Sequence, residues 1–245
     1  MNSLNQIENI ENNNWWFTER KALILDLIKS LNLKPQAKVL DIGCGTGNIL
    51  NALKSKHQII GLDELDESII VNKLKGIKVV KSDATKIPFD NESLDLVLIL
   101  DVIEHIDDDK KVMSEINRVL KKKGYCLITV PAFQSLWGKD DVLSFHKRRY
   151  TKKSLLELSN EFKVVKLFYW NFCLFFPVWL IRNLTSSKVE NNTKNLYNVV
   201  CTFEENPSKI INFILKNILS LENKLIKKGI KFPFGISMFM LLKKR

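Results

Sequence analysis

The stretch Lys38-Val-Leu-Asp-Ile-Gly-Cys-Gly-Thr-Gly-Asn48 decides how the chain folds. Val39, Leu40 and Ile42 form a short apolar run, the pattern of a strand buried on both faces of a parallel sheet. Glycine follows at alternate positions, Gly43, Gly45 and Gly47. It lets the backbone turn tightly and lets a ligand reach main-chain atoms that a Cβ would shield. A helical pattern resumes at Ile49-Leu50-Asn51-Ala52-Leu53. Strand, glycine loop and helix in succession present free backbone N–H groups to a nucleotide-like ligand.

The glycine spacing separates two kinds of ligand. A dinucleotide site has the pattern G-x-G-x-x-G, which after Gly43 and Gly45 asks for glycine at position 48. That residue is Asn48, and the third glycine comes one position early. Asp41 inside the strand is also foreign to the dinucleotide pattern, so an NAD-dependent oxidoreductase is disfavoured. The run Asp-x-Gly-x-Gly-x-Gly closely resembles the first motif of class I S-adenosylmethionine (SAM)-dependent methyltransferases. Together with Asp101-Val-Ile-Glu-His-Ile106, it resembles the methyltransferase type 11 group over roughly residues 36–172 and again in the final strand. The resemblance implies SAM as cofactor and S-adenosylhomocysteine as product. A protein that keeps the SAM fold without catalysis is the alternative from another class.

Working outward, Gln58 to Asp63 reads as a second strand, with Asp63 placed to accept both hydroxyls of a ribose. Asp66 is the expected cap of the next helix. Gly76 to Val80 gives a third strand, after which Ser82-Asp83-Ala84 matches the position where the methyltransferase pattern meets the adenine amino group. Leu94 to Leu100 is a fourth strand leading to Asp101. Asp107 or Asp108 caps a helix with Val112, Met113, Ile116, Val119 and Leu120 on one face, and Lys121 to Lys123 and Gly124 are expected to end it. Tyr125 to Val130 is a fifth strand, Val164 to Phe172 a sixth, and Phe232 to Leu242 a last one. The alternation predicts an α/β, Rossmann-like doubly wound sheet of seven strands. Its last strand is expected antiparallel between strands five and six, as the resemblance implies. Asp41, Gly43, Cys44, Gly45, Gly47, Asp63, Asp83, Ala84 and Asp101 are the cofactor-binding candidates, falling at one edge of that sheet.

The division expected is an N-terminal arm and helix over 1–35, the SAM-binding core over 36–172, a helical insertion or substrate cover over 173–231, and the final core strand over 232–245. Residues 1–13 read as a loose polar arm. Trp15-Trp16-Phe17 then starts a helical stripe that either caps the domain edge or folds the arm over the glycine loop as a lid. Residues 183–196 are polar and read as a mobile segment.

Methyl transfer asks the protein to align acceptor and methyl group, exclude water and remove a proton when the acceptor holds one. His105, after the fourth strand, is the candidate base, because imidazole titrates near neutrality. The bland alternative is a helix-start histidine satisfied by backbone. Ser144-Phe-His-Lys-Arg-Arg-Tyr-Thr151 is a second cluster, at an edge whose loops build acceptor pockets. His146, Arg148, Arg149 and Tyr150 there either bind an anionic acceptor or form a charged helix entry with Arg149 paired to an acid such as Asp140. The segment after the fourth strand is neither an Asn/Asp-Pro-Pro-Tyr/Phe motif nor a Pro-Cys nucleophile, which disfavours methylation of nucleic-acid bases. O-methylation of a small-molecule or lipid-linked acceptor is the function expected, with no specific nucleic-acid partner.

Composition sets the outer bounds. The chain has 245 residues, 45% of them hydrophobic, enough for one elaborated α/β domain. Its net charge of +11 suits an anionic partner or simply solvated lysines. The four cysteines lie far apart with no C-x-x-C pair or Cys/His cluster, so neither a disulfide framework nor a metal site is expected. The polar N-terminus has no signal-peptide core, which points to the cytoplasm. The apolar run at 173–181 is too short to span a bilayer. Residues 207–245 carry nine Lys/Arg against one acid. With the stripe at Ile211, Ile214, Ile218, Leu221 and Leu225, this leaves peripheral membrane contact open.

Overall fold

In the computed structural model, which describes residues 2–185 and 207–245, β1 (Lys38–Ile42) sits near the middle of a seven-stranded sheet. Val39, Leu40 and Ile42 are buried because parallel neighbours flank β1, β2 (Gln58–Asp63) on one side and β4 (Leu94–Leu100) on the other. β3 (Lys78–Lys81) lies beyond β2, and β5 (Leu120–Pro131) beyond β4. β7 (Ser237–Lys244) runs antiparallel between β5 and β6 (Phe162–Trp170). The order β3-β2-β1-β4-β5-β7-β6 is the doubly wound arrangement expected. Chain direction across the sheet reverses between β1 and β4, the crevice where such sheets bind ligands.

The strand period of two sorts the core into two layers. Leu40, Ile42, Val97, Ile99 and Ile128 face one side, where Val112 and Ile116 of α5 (Asp109–Val119) cover them. Val39, Leu96, Leu98, Leu127 and Phe239 face the other. There they meet Leu23, Ile24, Leu27 and Ile28 of α2 (Trp15–Ser30). The remaining helices are α1 (Asn2–Asn13), α3 (Asn48–Leu53), α4 (Asp66–Leu74), α6 (Lys139–Leu143), α7 (Lys152–Leu158), α8 (Phe175–Thr185) and α9 (Lys209–Lys227).

Several local expectations change in the folded chain. Residues 2–13 form α1 rather than a loose arm, held by the Glu8–Lys75 ion pair at 2.8 Å and by Glu11 on the Thr46 hydroxyl. Asn14 caps α2, accepting from the Trp16 N–H at 2.8 Å. Asp66 does not cap α4; it pairs with Lys81 at 2.7 Å instead. Asp108 is the cap of α5, accepting from the Lys111 N–H at 3.0 Å. α5 ends at Val119, and Lys121 to Gly124 belong to β5 because Leu120 pairs with Leu94 and Lys121 reaches Asp95 at 2.8 Å. Lys123, not Gly124, takes the left-handed angle there. β6 and β7 are shifted by a few residues from the spans expected. The mobile segment expected at 183–196 lies mostly outside the described residues, as does part of the insertion at 173–231.

α9 is tied to α2 and β6 through one buried amide. Trp170 Nε1 donates to Asn223 Oδ1 at 2.9 Å. Asn223 Nδ2 donates to the Glu19 carbonyl at 3.0 Å and to Glu19 Oε2 at 3.1 Å. Asn223→Ala leaves the buried Trp170 indole N–H without a partner and removes the tie to Glu19, which costs about 1–3 kcal/mol. Urea unfolding should show that loss, and an unchanged midpoint and slope would show that this amide does not join the three elements.

Candidate functional site

The loop after β1 takes left-handed angles at all three glycines, with φ of 67°, 49° and 72° at Gly43, Gly45 and Gly47. The three are not equivalent. A Cβ on Gly43 would lie 2.4 Å from a Val102 methyl, and one on Gly47 1.8 Å from Asn72 Oδ1, whereas one on Gly45 would meet nothing within 4 Å. Gly43 and Gly47 are therefore required by packing, and Gly45 fronts open space. The Gly45 N–H donates to Asp63 Oδ2 at 2.9 Å, and the Leu65 N–H to Asp63 Oδ1 at 3.0 Å. Asp63 thus braces the loop as well as facing the cavity. Cys44 is buried under Gly61, and burial pushes its thiol up, so it is inert.

A cavity of about 550 Å³ opens at the C-terminal ends of β1, β2 and β4. Gly43, Asp63, Asp83, Ala84 and His105 line it, joined by Glu64, Val102 and Lys147. Asp83 accepts from the Thr85 N–H at 2.7 Å and hydroxyl at 2.8 Å, and the backbone bond above all holds its carboxyl below the usual range.

Beside the loop lies a charged knot whose arginine sequence reading missed. Asp101, at φ 55°, pairs with Arg20 at 2.5 Å and accepts from the Thr129 hydroxyl at 3.0 Å. Arg20 also donates to Thr129 at 2.8 Å and lies 5.1 Å over the Trp16 ring. Its only sequence signal was a position four residues beyond the tryptophan that braces it. Asp41 is buried nearby, its carboxyl pushed up to about 7 by burial, with Arg20 opposing and Asp63 and Glu11 adding to the rise. An arginine set against carboxylates is the complement of a zwitterionic amino-acid end. SAM carries such an end, an adenosine and a cationic sulfonium. The open face at Gly45, the Asp63 carboxylate and this charged knot fit all three. α1 reaches the loop through Glu11, which meets Thr46, and through Glu8, which pairs with Lys75 where that lysine donates to the Thr46 carbonyl at 2.7 Å; Lys21 of α2 meets Asn48. The lid reading placed the arm in that position.

The second cluster meets the cavity at His105 and Lys147. His105 ends a single helical turn, Ile103–His105, and its ring lies 4.7 Å from that of His146. Burial, then His146, lowers the His105 pKa. His146 Nδ1 contacts Asp141 Oδ1 at 2.8 Å. Arg149 Nε donates to the same oxygen at 2.8 Å, so its partner is Asp141. Burial raises the Asp141 carboxyl, but the bonds from His146 and Arg149 outweigh it and hold it at about 2. Arg148 pairs with Asp109 at 2.8 Å, and the Tyr150 hydroxyl donates to Asp109 at 2.9 Å. Of the four candidates here, His146 is brought beside His105. The polar groups of Arg148, Arg149 and Tyr150 turn toward internal acids. Lys147 reaches the cavity and pairs with Asp107.

Two substitutions test the cradle. Gly45→Val closes the open face, and Asp63→Ala removes the carboxylate shared by loop and cavity. Each should weaken SAM binding at least tenfold, about 1.4 kcal/mol, by calorimetry. Full affinity in both variants, with native circular dichroism, would place the cofactor elsewhere.

The comparisons with known proteins agree with this fold. Residues 40–128 match a family model described as a methyltransferase domain. An uncharacterized protein of Methanocaldococcus jannaschii is 30% identical over 161 residues, which cover 62% of this chain and 77% of that one. A demethylmenaquinone methyltransferase of Staphylococcus epidermidis is 31% identical over 137 residues, but the match spans only 57% of that protein and 50% of this one. In fold, the chain is similar to a SAM-dependent methyltransferase from Archaeoglobus fulgidus, with a TM-score of 0.59 and 22% identity over 92% of this chain and 94% of that one. A methyltransferase domain matched over residues 40–128 and the sheet order of the class I fold make the chain a SAM-dependent methyltransferase.

Proposed function

We propose that the protein methylates an oxygen of a small, partly apolar acceptor. The observation that carries this reading is that His105 lines the same cavity as Asp63 and Asp83. When bound, SAM supplies an electrophilic methyl on a sulfonium. The chain's part is to hold the adenosine against Asp63 and Asp83, grip the amino-acid end with Arg20, Asp41 and Asp101, and exclude water under α1. A His105 ring nitrogen is placed to take the acceptor's proton. Apolar rings supply a surface for the acceptor's body. Phe232, Phe172, Phe234 and Phe175 meet with centroids 4.8 Å apart in successive pairs, and Phe133 joins them through Phe175 at 5.7 Å. A quinone acceptor is a second reading, favoured by the relative named for demethylmenaquinone.

Purified protein incubated with SAM and a cell extract should yield S-adenosylhomocysteine and one metabolite heavier by a methylene. NMR of that product separates an ether methyl from a ring-carbon methyl. His105→Ala should lower kcat by about 10²–10⁴ with SAM affinity retained. Normal turnover in that variant would remove His105 from the reaction.

An acceptor carried on a lipid is the finer form of this reading. No helix among the described residues is long and apolar enough to cross a membrane. α9 nevertheless exposes Ile210, Phe213 and Ile214 near Lys209 and Lys216, and α8 exposes Phe176 and Trp179. Apolar and cationic side chains together suit an anionic bilayer surface. The protein should co-float with anionic vesicles in low salt and dissociate as salt rises. No flotation, with full activity on a water-soluble acceptor, removes the lipid.

A further inference from the structure

Glu104, His105 and His146 bring one ligand atom each to within 4.8 Å of one another. We propose that these three side chains bind a divalent transition-metal ion that holds an oxygen of the methyl acceptor.

The case starts with Glu104. It is fully buried, and neither carboxylate oxygen has a hydrogen-bond partner. Native proteins rarely bury a carboxylate that way, because desolvation is left uncompensated. The His146 Nε2 atom lies 4.0 Å from Glu104 Oε1. That is too far for a hydrogen bond. It is close to the spacing of two ligands on one ion, since metal–ligand bonds of about 2.1 Å set tetrahedral ligand atoms about 3.4 Å apart. Closing the site takes a contraction of about 0.6 Å on this pair and of up to about 1.4 Å on the widest pair, which side-chain rotation supplies.

The surroundings of His146 point the same way. Its Nδ1 contacts Asp141 at 2.8 Å. An aspartate there holds the proton on Nδ1 and leaves the Nε2 lone pair directed to the Glu104 side. A carboxylate behind a histidine is the usual support of a metal ligand. Asp141 is fully buried and is itself fixed by Arg149 Nε at 2.8 Å and the Gly138 N–H at 2.7 Å. The Lys147 N–H donates to the Glu104 carbonyl at 2.9 Å, tying the segment that carries His146 to the turn that carries Glu104 and His105. His105 lines the cavity, so the ion would sit between the buried carboxylate and the acceptor. Arg149 and Asp141 thereby acquire a shared task, positioning His146.

Two imidazoles and one carboxylate select zinc, manganese, iron or cobalt over magnesium and calcium. Three protein ligands leave at least one position for an exchangeable oxygen. This inference rests on the oxygen-methylation reading for the ion's use. A hydroxyl bound to the ion loses its proton to water more readily than a free one. Its oxygen then bonds to the methyl carbon as the carbon–sulfur bond breaks and the electron pair stays on sulfur. A methyl ether and S-adenosylhomocysteine result. In that arrangement the His105 nitrogen is a ligand and water carries the proton away.

The test uses the full chain, stripped with a chelator and dialysed. Zn²⁺ titrated by calorimetry and Co²⁺ followed by visible absorption should each show one site per chain. Glu104→Gln and His146→Gln should each weaken Zn²⁺ binding at least tenfold while SAM affinity and melting temperature hold. Asp141→Asn should shift the Co²⁺ spectrum, which a purely structural aspartate would not. Absent or non-stoichiometric binding, or affinity unmoved by both ligand variants, overturns the site. These readouts need no acceptor, so they stand even if oxygen methylation fails. Once an acceptor is found, activity lost on chelation and restored by metal supports the role in turnover, and full activity of the stripped enzyme overturns it.

Discussion

The loop after β1 is clamped to the end of β2, and the site depends on that clamp. The Gly43 N–H donates to the Leu62 carbonyl at 2.7 Å, and the Gly45 N–H donates to Oδ2 of Asp63, the next residue of β2, at 2.9 Å. Both bonds require the chain to leave β1 in the left-handed region, where only glycine sits without strain. Gly43 also lets Val102 approach from the end of β4. The turn therefore draws together the ends of β1, β2 and β4, whose C-terminal edges bound the cavity.

A second layer of order comes from the N-terminal segment, which joins the site to the far side of the sheet. Trp16 meets Trp170 of β6 at 5.7 Å and lies beneath Arg20, while Arg20 reaches Asp101 and Thr129. Trp170 in turn holds Asn223 of α9. One chain of contacts thus runs from α9 through the aromatic pair to the charged knot beside the glycine loop. Displacing α9 would be felt at Arg20 and Asp101 through packing, with no direct contact needed.

The two walls of the cavity differ in kind. The Asp63 and Asp83 wall is built from strand ends, where backbone geometry fixes each carboxylate. The His105 wall is built from a single helical turn and a segment some forty residues later, joined by the Lys147 to Glu104 backbone bond and by the Asp141 hub. Such a wall is held by loop contacts and not by the strand ladder, so a substitution in it leaves the sheet's own pairing in place.

The sequence by itself determined the sheet and which strand-end residues gather at its C-terminal edge. Alternating apolar runs and glycine spacing are local signals, and the order of strand and helix leaves few topologies. Gly43, Asp63 and Asp83 were legible for the same reason: each lies at a fixed offset from its strand's end. Local signals misled where a distant partner won, as when Leu94 drew Leu120 and the lysines after it into β5, and when Lys81 took Asp66 from its helix start. Only the tertiary structure could turn the polar arm into α1, because its support is Lys75 and Thr46 rather than its own propensity. It alone set Arg20 against Asp101 and His146 beside Glu104, since pairs separated by 40 residues or more leave no periodic trace in a chain. Contacts of that range are decided by how the sheet edge and its loops close in space.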